Sequence, residues 1–229
     1  MKKDKVFGPF DWFLIIGIIA SSIVYSIANN EIDIIGTIVS ITGIICVVLG
    51  AKGYLSNYIF GLINVALYAY INFQSKLWGT AALNGLYYLP MEFIGFFSWR
   101  KRLQEGSDNL VAPRFLTNKA RIWISLATVA LIAVCGWILS KFGDPKPYQD
   151  SASAMLCVVA MLLMVKAYSE QWLLWNISNA IYLIMWISLF IHGEPHSGMM
   201  VLMWVFYLIN SIRGQILWNK MARDFADKQ

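Results

Sequence analysis

The sequence predicts an all-α integral membrane protein with eight transmembrane spans. The chain of 229 residues is 59% hydrophobic and only 14% charged, and its mean hydropathy is +0.60. Soluble domains average about 25% charged residues, so this composition excludes a large solvated surface. Apolar stretches of about 20 residues are long enough to cross a bilayer. They recur at roughly 11–28, 32–50, 54–73, 78–99, 122–140, 148–166, 170–191 and 197–213.

The distribution of basic residues predicts the orientation of these spans. If the N-terminus is cytoplasmic, 15 of the 18 Lys and Arg residues fall on the cytoplasmic side, as the positive-inside rule requires. The net charge of +5 therefore indicates topology and not a nucleic-acid partner. We expect a multi-pass protein of the cell (inner) membrane, embedded in the lipid bilayer, with both termini cytoplasmic.

The first span, in segment 1–30, is predicted to be an additional N-terminal transmembrane helix. Its basic start, apolar stretch and small residues at the end also fit a cleaved signal peptide, which is the alternative. Cleavage would leave the topology of the remaining spans unchanged.

Two segments further along the chain resemble each other. Lys52-Gly53-Tyr54 and Lys166-Ala167-Tyr168 open the third and seventh spans at an offset of 114 residues, and Trp99 matches Trp218 at an offset of 119. The implied units are spans 2–4 and spans 6–8, joined by span 5. Such a 3+1+3 parallel repeat has its axis along the membrane normal. The predicted segments are 1–30 (extra helix), 31–102 (first repeat), 103–147 (cytoplasmic loop and linker helix), 148–220 (second repeat) and 221–229 (cytoplasmic tail).

The seventh span carries an aromatic and amide stripe. Trp172, Trp175, Asn179, Tyr182 and Trp186 fall within an arc of about 80° at helical spacing. Lipid cannot satisfy side-chain amides, so this face must meet protein, a cavity or a substrate.

Similar faces occur on three other spans. The third span contributes Asn57, Asn64 and Tyr68, the fourth Asn84, Tyr88 and Glu92 with Pro90 able to kink it, and the eighth Tyr207 and Asn210. One amide alone is more simply explained as a hydrogen bond between helices. Four faces of the same composition favour a shared cavity, and in a parallel-repeat transporter the substrate lies near the midplane between the repeats.

Glu92 is the only acidic residue placed well inside a predicted span. A charge at that depth costs several kcal/mol unless it is paired or hydrated, so Glu92 is a functional candidate. The alternative is a structural ion pair with Arg100 or Arg102. Trp99 and Trp218 lie near span ends, where an aromatic belt at the membrane interface is the simpler prediction.

The chemistry of these faces points to a small polar aromatic ligand. Trp and Tyr rings suit a flat cationic ring, and the scarcity of Lys and Arg disfavours a phosphorylated ligand. We expect no cofactor and no metal, since Cys46, Cys135 and Cys157 lie on three different spans without paired spacing. An intramembrane enzyme, the alternative from a different class, would need a nucleophile–base pair or a metal set that the spans do not show.

Trp172-x-x-Trp175-x-x-x-Asn179, with the stripe of Asn84, Tyr88 and Glu92, resembles the PnuC family of bacterial vitamin transporters. The resemblance implies a SWEET-like 3+1+3 helical transporter with one extra helix. It also implies uptake of nicotinamide riboside by facilitated diffusion and trapping by cytosolic phosphorylation. Because some relatives transport thiamine, thiamine is the alternative substrate. A homo-oligomer is a further expectation that the sequence leaves undecided.

The resemblance implies that the residues of these two motifs bind substrate. The other candidate binding residues come from the polar and aromatic faces of the predicted spans. The full set of candidate binding residues is Asn57, Asn64, Tyr68, Asn84, Tyr88, Glu92, Gln171, Trp172, Trp175, Asn179, Tyr182, Tyr207 and Asn210.

Overall fold

A computed structural model describes residues 6–29, 34–74, 81–104, 109–143, 147–192 and 197–227. Within these ranges the chain is all-helical. The α-helices are α1 (Pro9–Asn29), α2 (Ile34–Ala51), α3 (Asn57–Gln74), α4 (Leu89–Arg100), α5 (Asn118–Lys141), α6 (Pro147–Val165), α7 (Gln171–Ile191) and α8 (Ser197–Ala226).

Each predicted apolar stretch coincides with a helix, but the last helix is longer than its stretch. Hydropathy ends that stretch at Arg213, whereas α8 continues to Ala226, because charged residues are compatible with a helix that leaves the apolar region. By length and composition, four helical stretches in the described part of the chain are able to cross a membrane. They are Asn118–Lys141, Pro147–Val165, Gln171–Ile191 and Val201–Ala226. Shorter apolar stretches lie at Pro9–Ser21, Thr37–Ala51 and Asn57–Ile71.

Six helices pack side by side in a closed ring. The order of contact around it is α2, α3, α4, α6, α7 and α8, and α8 returns to α2. Helix α1 packs outside the ring against α2 and α8, and α5 packs outside against α6. The α2–α8 and α4–α6 contacts therefore join the first half of the chain to the second.

A π-helical segment, Leu83–Tyr88, runs directly into α4. The N–H of Leu89 donates to the carbonyl oxygen of Asn84, five residues earlier. Pro90 follows at once, and its ring nitrogen has no hydrogen to donate to the preceding turn. The disturbance expected at Pro90 thus includes a widened helical turn, of the kind often found at functional sites.

The turns after α2 and α6 have the same geometry. Gly53 has φ +75° and Ala167 has φ +56°, which is the left-handed conformation that closes a Schellman motif. In both turns the next residue donates its N–H to the carbonyl five positions earlier, at 3.0 Å after α2 and 2.9 Å after α6. We call the end of the bundle that holds these two turns (residues 52–54 and 166–168) the turn end.

At the turn end, two tryptophans each donate a hydrogen bond to a backbone carbonyl in the other half of the chain. The Trp99 indole Nε1 donates to the Met164 carbonyl oxygen at 2.7 Å, and Trp218 Nε1 donates to the Gly50 carbonyl oxygen at 3.0 Å. Both side chains are 0% exposed, and their ring centroids are 5.3 Å apart. The prediction that they anchor the protein in an aromatic belt was wrong, because position near a span end does not say which way an indole faces.

The segment before α5 connects the two turns. In the strap (residues 109–116), Val111 N donates to the Gly53 carbonyl at 2.9 Å and Arg114 N donates to the Ala167 carbonyl at 3.0 Å. The two bonds hold the strap across both halves of the chain.

Helix α1 is attached at the same end by a buried carboxylate. Asp11 is 0% exposed; it contacts Lys52 Nζ at 2.8 Å and also pairs with Arg213 of α8. One acidic side chain of α1 therefore holds a cation from each half of the chain.

Candidate functional site

The aromatic face of α7 begins at the turn end and is well packed there. Trp172 is 6% exposed and lies directly on Gly214, where an added Cβ would be 2.7 Å from the ring. Its ring centroid is 6.1 Å from that of Trp218, and its Nε1 is buried without a hydrogen-bond partner. Trp175, one turn further, is partly buried and packs against the same hydrophobic cluster.

Gln171 and Asn57 hold corresponding positions as the first residues of α7 and α3. Both are 0% exposed. Within the described ranges, neither amide atom of Gln171 has a hydrogen-bond partner, and Asn57 leaves its Oδ1 unpartnered while its Nδ2 donates to the Tyr54 carbonyl at 2.6 Å. Buried amides without partners are costly, so these atoms are available to a polar ligand or to water.

Three other candidate amides donate to neighbouring helices. Asn179 Nδ2 bonds Ser211 Oγ at 3.0 Å, and Asn64 Nδ2 bonds the Val39 carbonyl at 2.6 Å. Asn210 Nδ2 bonds the Val47 carbonyl at 2.9 Å but leaves Oδ1 buried and unpartnered. These amides hold helices together, as the alternative explanation supposed, and Asn210 has an acceptor atom left over.

Glu92 forms no ion pair with Arg100, Arg102 or any other cation in the described ranges. Its carboxyl instead lies against Gly61 of α3, where an added Cβ would be 2.7 Å from Cδ. The side chain is 7% exposed, and Oε2 has no hydrogen-bond partner among the residues that the structure describes. The ion pair with Arg100 or Arg102 weighed from the sequence is therefore not formed.

Further from the turn end, aromatic rings of α7 and α8 stack. The rings of Tyr182 and Trp204 are nearly parallel, 17° apart, with centroids at 4.3 Å. Tyr207 meets Trp204 edge-on at 5.8 Å. Trp204 Nε1 is buried, with no hydrogen-bond partner among the described residues.

The remaining candidates lie on α3 and on the π-helical segment and its end. Asn84 is 7% exposed, Tyr88 packs edge-on against Tyr87 at 5.2 Å, and Tyr68 is 41% exposed. An open apolar depression of about 500 Å³ separates the end of α3 from the π-helical segment. No candidate residue lines it, so it is not the predicted site.

Sequence reasoning missed Tyr58, which is the counterpart of Trp172 at the offset of 114 residues. Tyr58 is 2% exposed and packs on Gly95, where an added Cβ would be 2.7 Å from its hydroxyl oxygen. That oxygen has no hydrogen-bond partner in the described part of the chain. Gly95 and Gly214 are separated by the same offset of 119 residues as Trp99 and Trp218, and this spacing is the signal that could have identified the two rings packed on them.

The candidate residues together carry one carboxyl group, several amides and many aromatic rings. None of the candidate residues is Lys or Arg. No group of three or more His, Cys, Asp or Glu side chains suited to a metal ion occurs among the residues with described positions. The arrangement is chemically suited to hold a flat polar molecule by stacking and hydrogen bonds.

Comparison with known proteins gives one consistent family. Residues 33–220 match the family described as "Nicotinamide mononucleotide transporter". The chain is similar to the nicotinamide riboside transporter PnuC of Neisseria mucosa, with 36% identity over 96% of this chain and 86% of that protein. It is 32% identical to the PnuC of Haemophilus influenzae, over 97% of this chain and 96% of that protein. A crystal structure of the vitamin B3 transporter PnuC superposes with a TM-score of 0.78 at 34% identity, covering 95% of this chain and 94% of that one.

Proposed function

Since the chain belongs to the PnuC family of nicotinamide riboside transporters, we propose that it imports nicotinamide riboside across the cell (inner) membrane. The observation that carries the proposal is the buried aromatic and amide face of α7 and its neighbours. Several polar atoms there have no hydrogen-bond partner among the described residues. Such atoms are costly when left empty and favourable when a ligand supplies the missing hydrogen bonds.

The ligand's chemistry matches the groups on this face. Nicotinamide riboside has a cationic aromatic ring, a carboxamide and ribose hydroxyls. Trp175 and Tyr182 are suited to stack on the ring, because cations are attracted to aromatic faces. Gln171 and Asn210 carry unpartnered amide atoms that are suited to the carboxamide or the hydroxyls.

The match favours the riboside over the mononucleotide. The family description names the mononucleotide, whereas the relatives are named for the riboside, and the two ligands differ by one phosphate. A buried phosphate needs Arg, Lys or a helix N-terminus directed at it. The candidate residues include no Lys or Arg.

The proposed architecture is the 3+1+3 parallel repeat with α1 added outside, eight spans and both termini cytoplasmic. Contacts that occur twice support it. Trp99 bonds Met164 just as Trp218 bonds Gly50, and these partners are related by the offsets of 119 and 114 residues. Alternating access then consists of rocking the two three-helix units around a site near the midplane.

We further propose facilitated diffusion without an ion gradient, with cytosolic phosphorylation trapping the imported riboside. The candidate site has one carboxyl and no second acid that would complete a proton relay. Membership of a transporter family is consistent with a protein that is not an enzyme, and no catalytic pair of residues is proposed.

A binding titration tests this function. Purified protein is titrated with nicotinamide riboside and, separately, with thiamine, and quenching of tryptophan fluorescence is followed. We expect saturable binding of the riboside that is at least tenfold tighter than that of thiamine, a difference of about 1.4 kcal/mol. Tighter binding of thiamine would indicate that thiamine is the substrate. Binding of neither ligand would contradict the proposed function.

A further inference from the structure

Two arginines lie near each other at the turn end, outside the candidate site. Arg102 follows the end of α4, and its backbone carbonyl accepts the N–H of Ala112 in the strap at 2.7 Å. Arg114 lies two residues beyond Ala112, and alternate side chains of an extended segment share a face. Neither arginine forms an ion pair with an acid in the part of the chain that the structure describes.

Each of the two guanidinium groups is positioned by a different half of the chain. Arg102 continues from α4, and its Nε is buried with no hydrogen-bond partner among the described residues. Arg114 is fixed to the second half, because its guanidinium carbon lies 4.2 Å from the centroid of the Tyr168 ring and its Nε donates to the Lys166 carbonyl at 3.3 Å. Burial and the neighbouring Arg114 guanidinium lower the pKa of Arg102. Arginine still keeps its proton in proteins, so the two positive charges repel each other.

The opposite seam of the bundle holds a similar pair of cations together with an anion. Where α2 contacts α8, Lys52 of the first half and Arg213 of the second half share the carboxylate of Asp11. Helix α1, which supplies Asp11, packs on this side of the ring. Lys166 is the counterpart of Lys52 at the offset of 114 residues, and it has no acidic partner within the described ranges. The seam where α4 contacts α6 thus carries cations of both halves and lacks the matching carboxylate among the described residues.

We propose that Arg102 and Arg114 form a second binding site, which holds a phosphate group at the α4–α6 seam. Guanidinium groups present paired N–H donors whose geometry matches phosphate oxygens. The buried Nε of Arg102 is a donor that such a ligand would satisfy. The phosphate group would serve this seam as Asp11 serves the other, by holding a cation from each half of the chain.

The position of the two arginines indicates the source of the phosphate group. Helix α4 is mostly apolar and ends at Arg100, two residues before Arg102. Basic side chains just beyond the apolar part of a membrane helix lie at the depth of the lipid headgroups, and basic pockets there bind anionic headgroups. The phosphate of an anionic lipid is therefore the favoured source, and free phosphate ion offers the same chemistry.

The test follows the melting temperature of the full-length protein with two sources of phosphate. Protein in neutral detergent is melted in inorganic phosphate and in chloride at equal ionic strength. Protein in nanodiscs of phosphatidylcholine is melted with and without phosphatidylglycerol. The variants are Arg102→Gln, Arg102→Lys and Arg114→Gln. The matched control is Arg223→Gln, which removes an exposed positive charge from the last turns of α8.

We expect at least one of the two sources to raise the melting temperature of the wild type by about 2 °C or more. Arg102→Gln and Arg114→Gln should lose most of this rise, and Arg223→Gln should keep it. Arg102→Lys should keep part of it, because lysine retains the charge and lacks the paired donors. In chloride, Arg102→Gln should melt no lower than the wild type, since it relieves the repulsion with Arg114. A rise in phosphatidylglycerol alone would identify the lipid as the source, and a rise in inorganic phosphate alone would identify the free ion.

Three outcomes would overturn the proposed phosphate site. The first is a wild type that responds to neither source. The second is a response that Arg223→Gln loses as fully as Arg102→Gln, which would indicate a general attraction of basic surface to anions. The third concerns Glu105 and Asp108, which lie outside the described residues, between the two arginines in sequence. A response that appears only when both are changed, as Glu105→Gln with Asp108→Asn, would mean that these acids neutralise the pair. None of these measurements involves transport, so their result is independent of the proposed function.

Discussion

The Trp99 indole donates a hydrogen bond to the Met164 carbonyl oxygen at 2.7 Å, joining the end of α4 to the end of α6. The acceptor carbonyl also receives the N–H of Ala167 at 2.8 Å. Trp218 and Gly50 repeat the arrangement on the opposite seam. Each half of the chain therefore completes a helix end of the other half.

The first prediction removes one of these donors and replaces the indole with a smaller phenyl ring. Trp99→Phe should lower the free energy of unfolding by roughly 1–3 kcal/mol, because the indole is fully buried and its hydrogen bond is lost. Thermal unfolding in detergent measures the change. Trp123→Phe on α5, where the side chain is 72% exposed, is the matched control and should leave the melting temperature unchanged. Equal effects of the two substitutions would contradict the assigned role of Trp99.

The second prediction concerns the two left-handed turns. A residue with a Cβ at positive φ is strained by about 1–2 kcal/mol, so Ala167→Gly should be neutral or stabilise the protein by up to about 1 kcal/mol. Gly53→Ala should destabilise the protein by about 1 kcal/mol because of the same backbone strain. Steric clash should add little, since the added Cβ would lie 3.4 Å or more from other atoms. Melting curves of both variants measure the signs. Stabilisation by Gly53→Ala would show that this turn is not left-handed.

The third prediction addresses the close contact beneath Trp172. Gly214→Ala places a Cβ 2.7 Å from the indole ring, so helices α7 and α8 must separate, at a cost of about 1–3 kcal/mol. The fraction of monodisperse protein and its melting temperature report the loss. The double variant Gly214→Ala with Trp172→Leu should be less destabilised than the sum of the two single changes. Simple additivity would mean that the two residues do not touch.

The fourth prediction concerns the attachment of α1. Asp11→Asn leaves Lys52 and Arg213 without their shared carboxylate and should destabilise the protein by roughly 1–3 kcal/mol. The range lies between the values for buried and surface pairs, because Asp11 is 0% exposed while its partners are 20% and 24% exposed. Asp224→Asn, on the exposed last turns of α8, is the control. Limited proteolysis should release α1 from the first variant only, and intact α1 in both would contradict the assignment.

Much of the fold could be predicted from the sequence because few backbone structures are able to cross a lipid bilayer. Stretches of about 20 apolar residues placed the helices, and repeated residues at offsets of 114 and 119 indicated pairs that the structure places in matching contacts. The π-helical segment could not be predicted. Pro90 signals a disturbance of the helix, but it does not show that the Leu89 N–H would bond the carbonyl oxygen of Asn84 five residues earlier.

The sequence predicted which residue types make up the candidate site, but it predicted only some of the contacts that these residues make. Helical spacing placed Trp172 and Asn179 on one face, yet it could not show that Asn179 would bond Ser211 while Gln171 would keep both amide atoms unpartnered. Asp11 was overlooked because its partners, Lys52 and Arg213, are 41 and 202 residues away. Such contacts depend on the tertiary arrangement and not on any local pattern.

The central claim, that the chain carries nicotinamide riboside by facilitated diffusion, is tested most directly by uptake into liposomes. Purified protein is reconstituted without an ion gradient, and entry of labelled nicotinamide riboside is followed, with Trp175→Ala as the matched variant whose folding is verified by its melting curve. We predict saturable entry that stops when inside and outside concentrations are equal, and none above background for Trp175→Ala. Entry that requires a sodium or proton gradient, or that is unchanged in Trp175→Ala, would contradict the account.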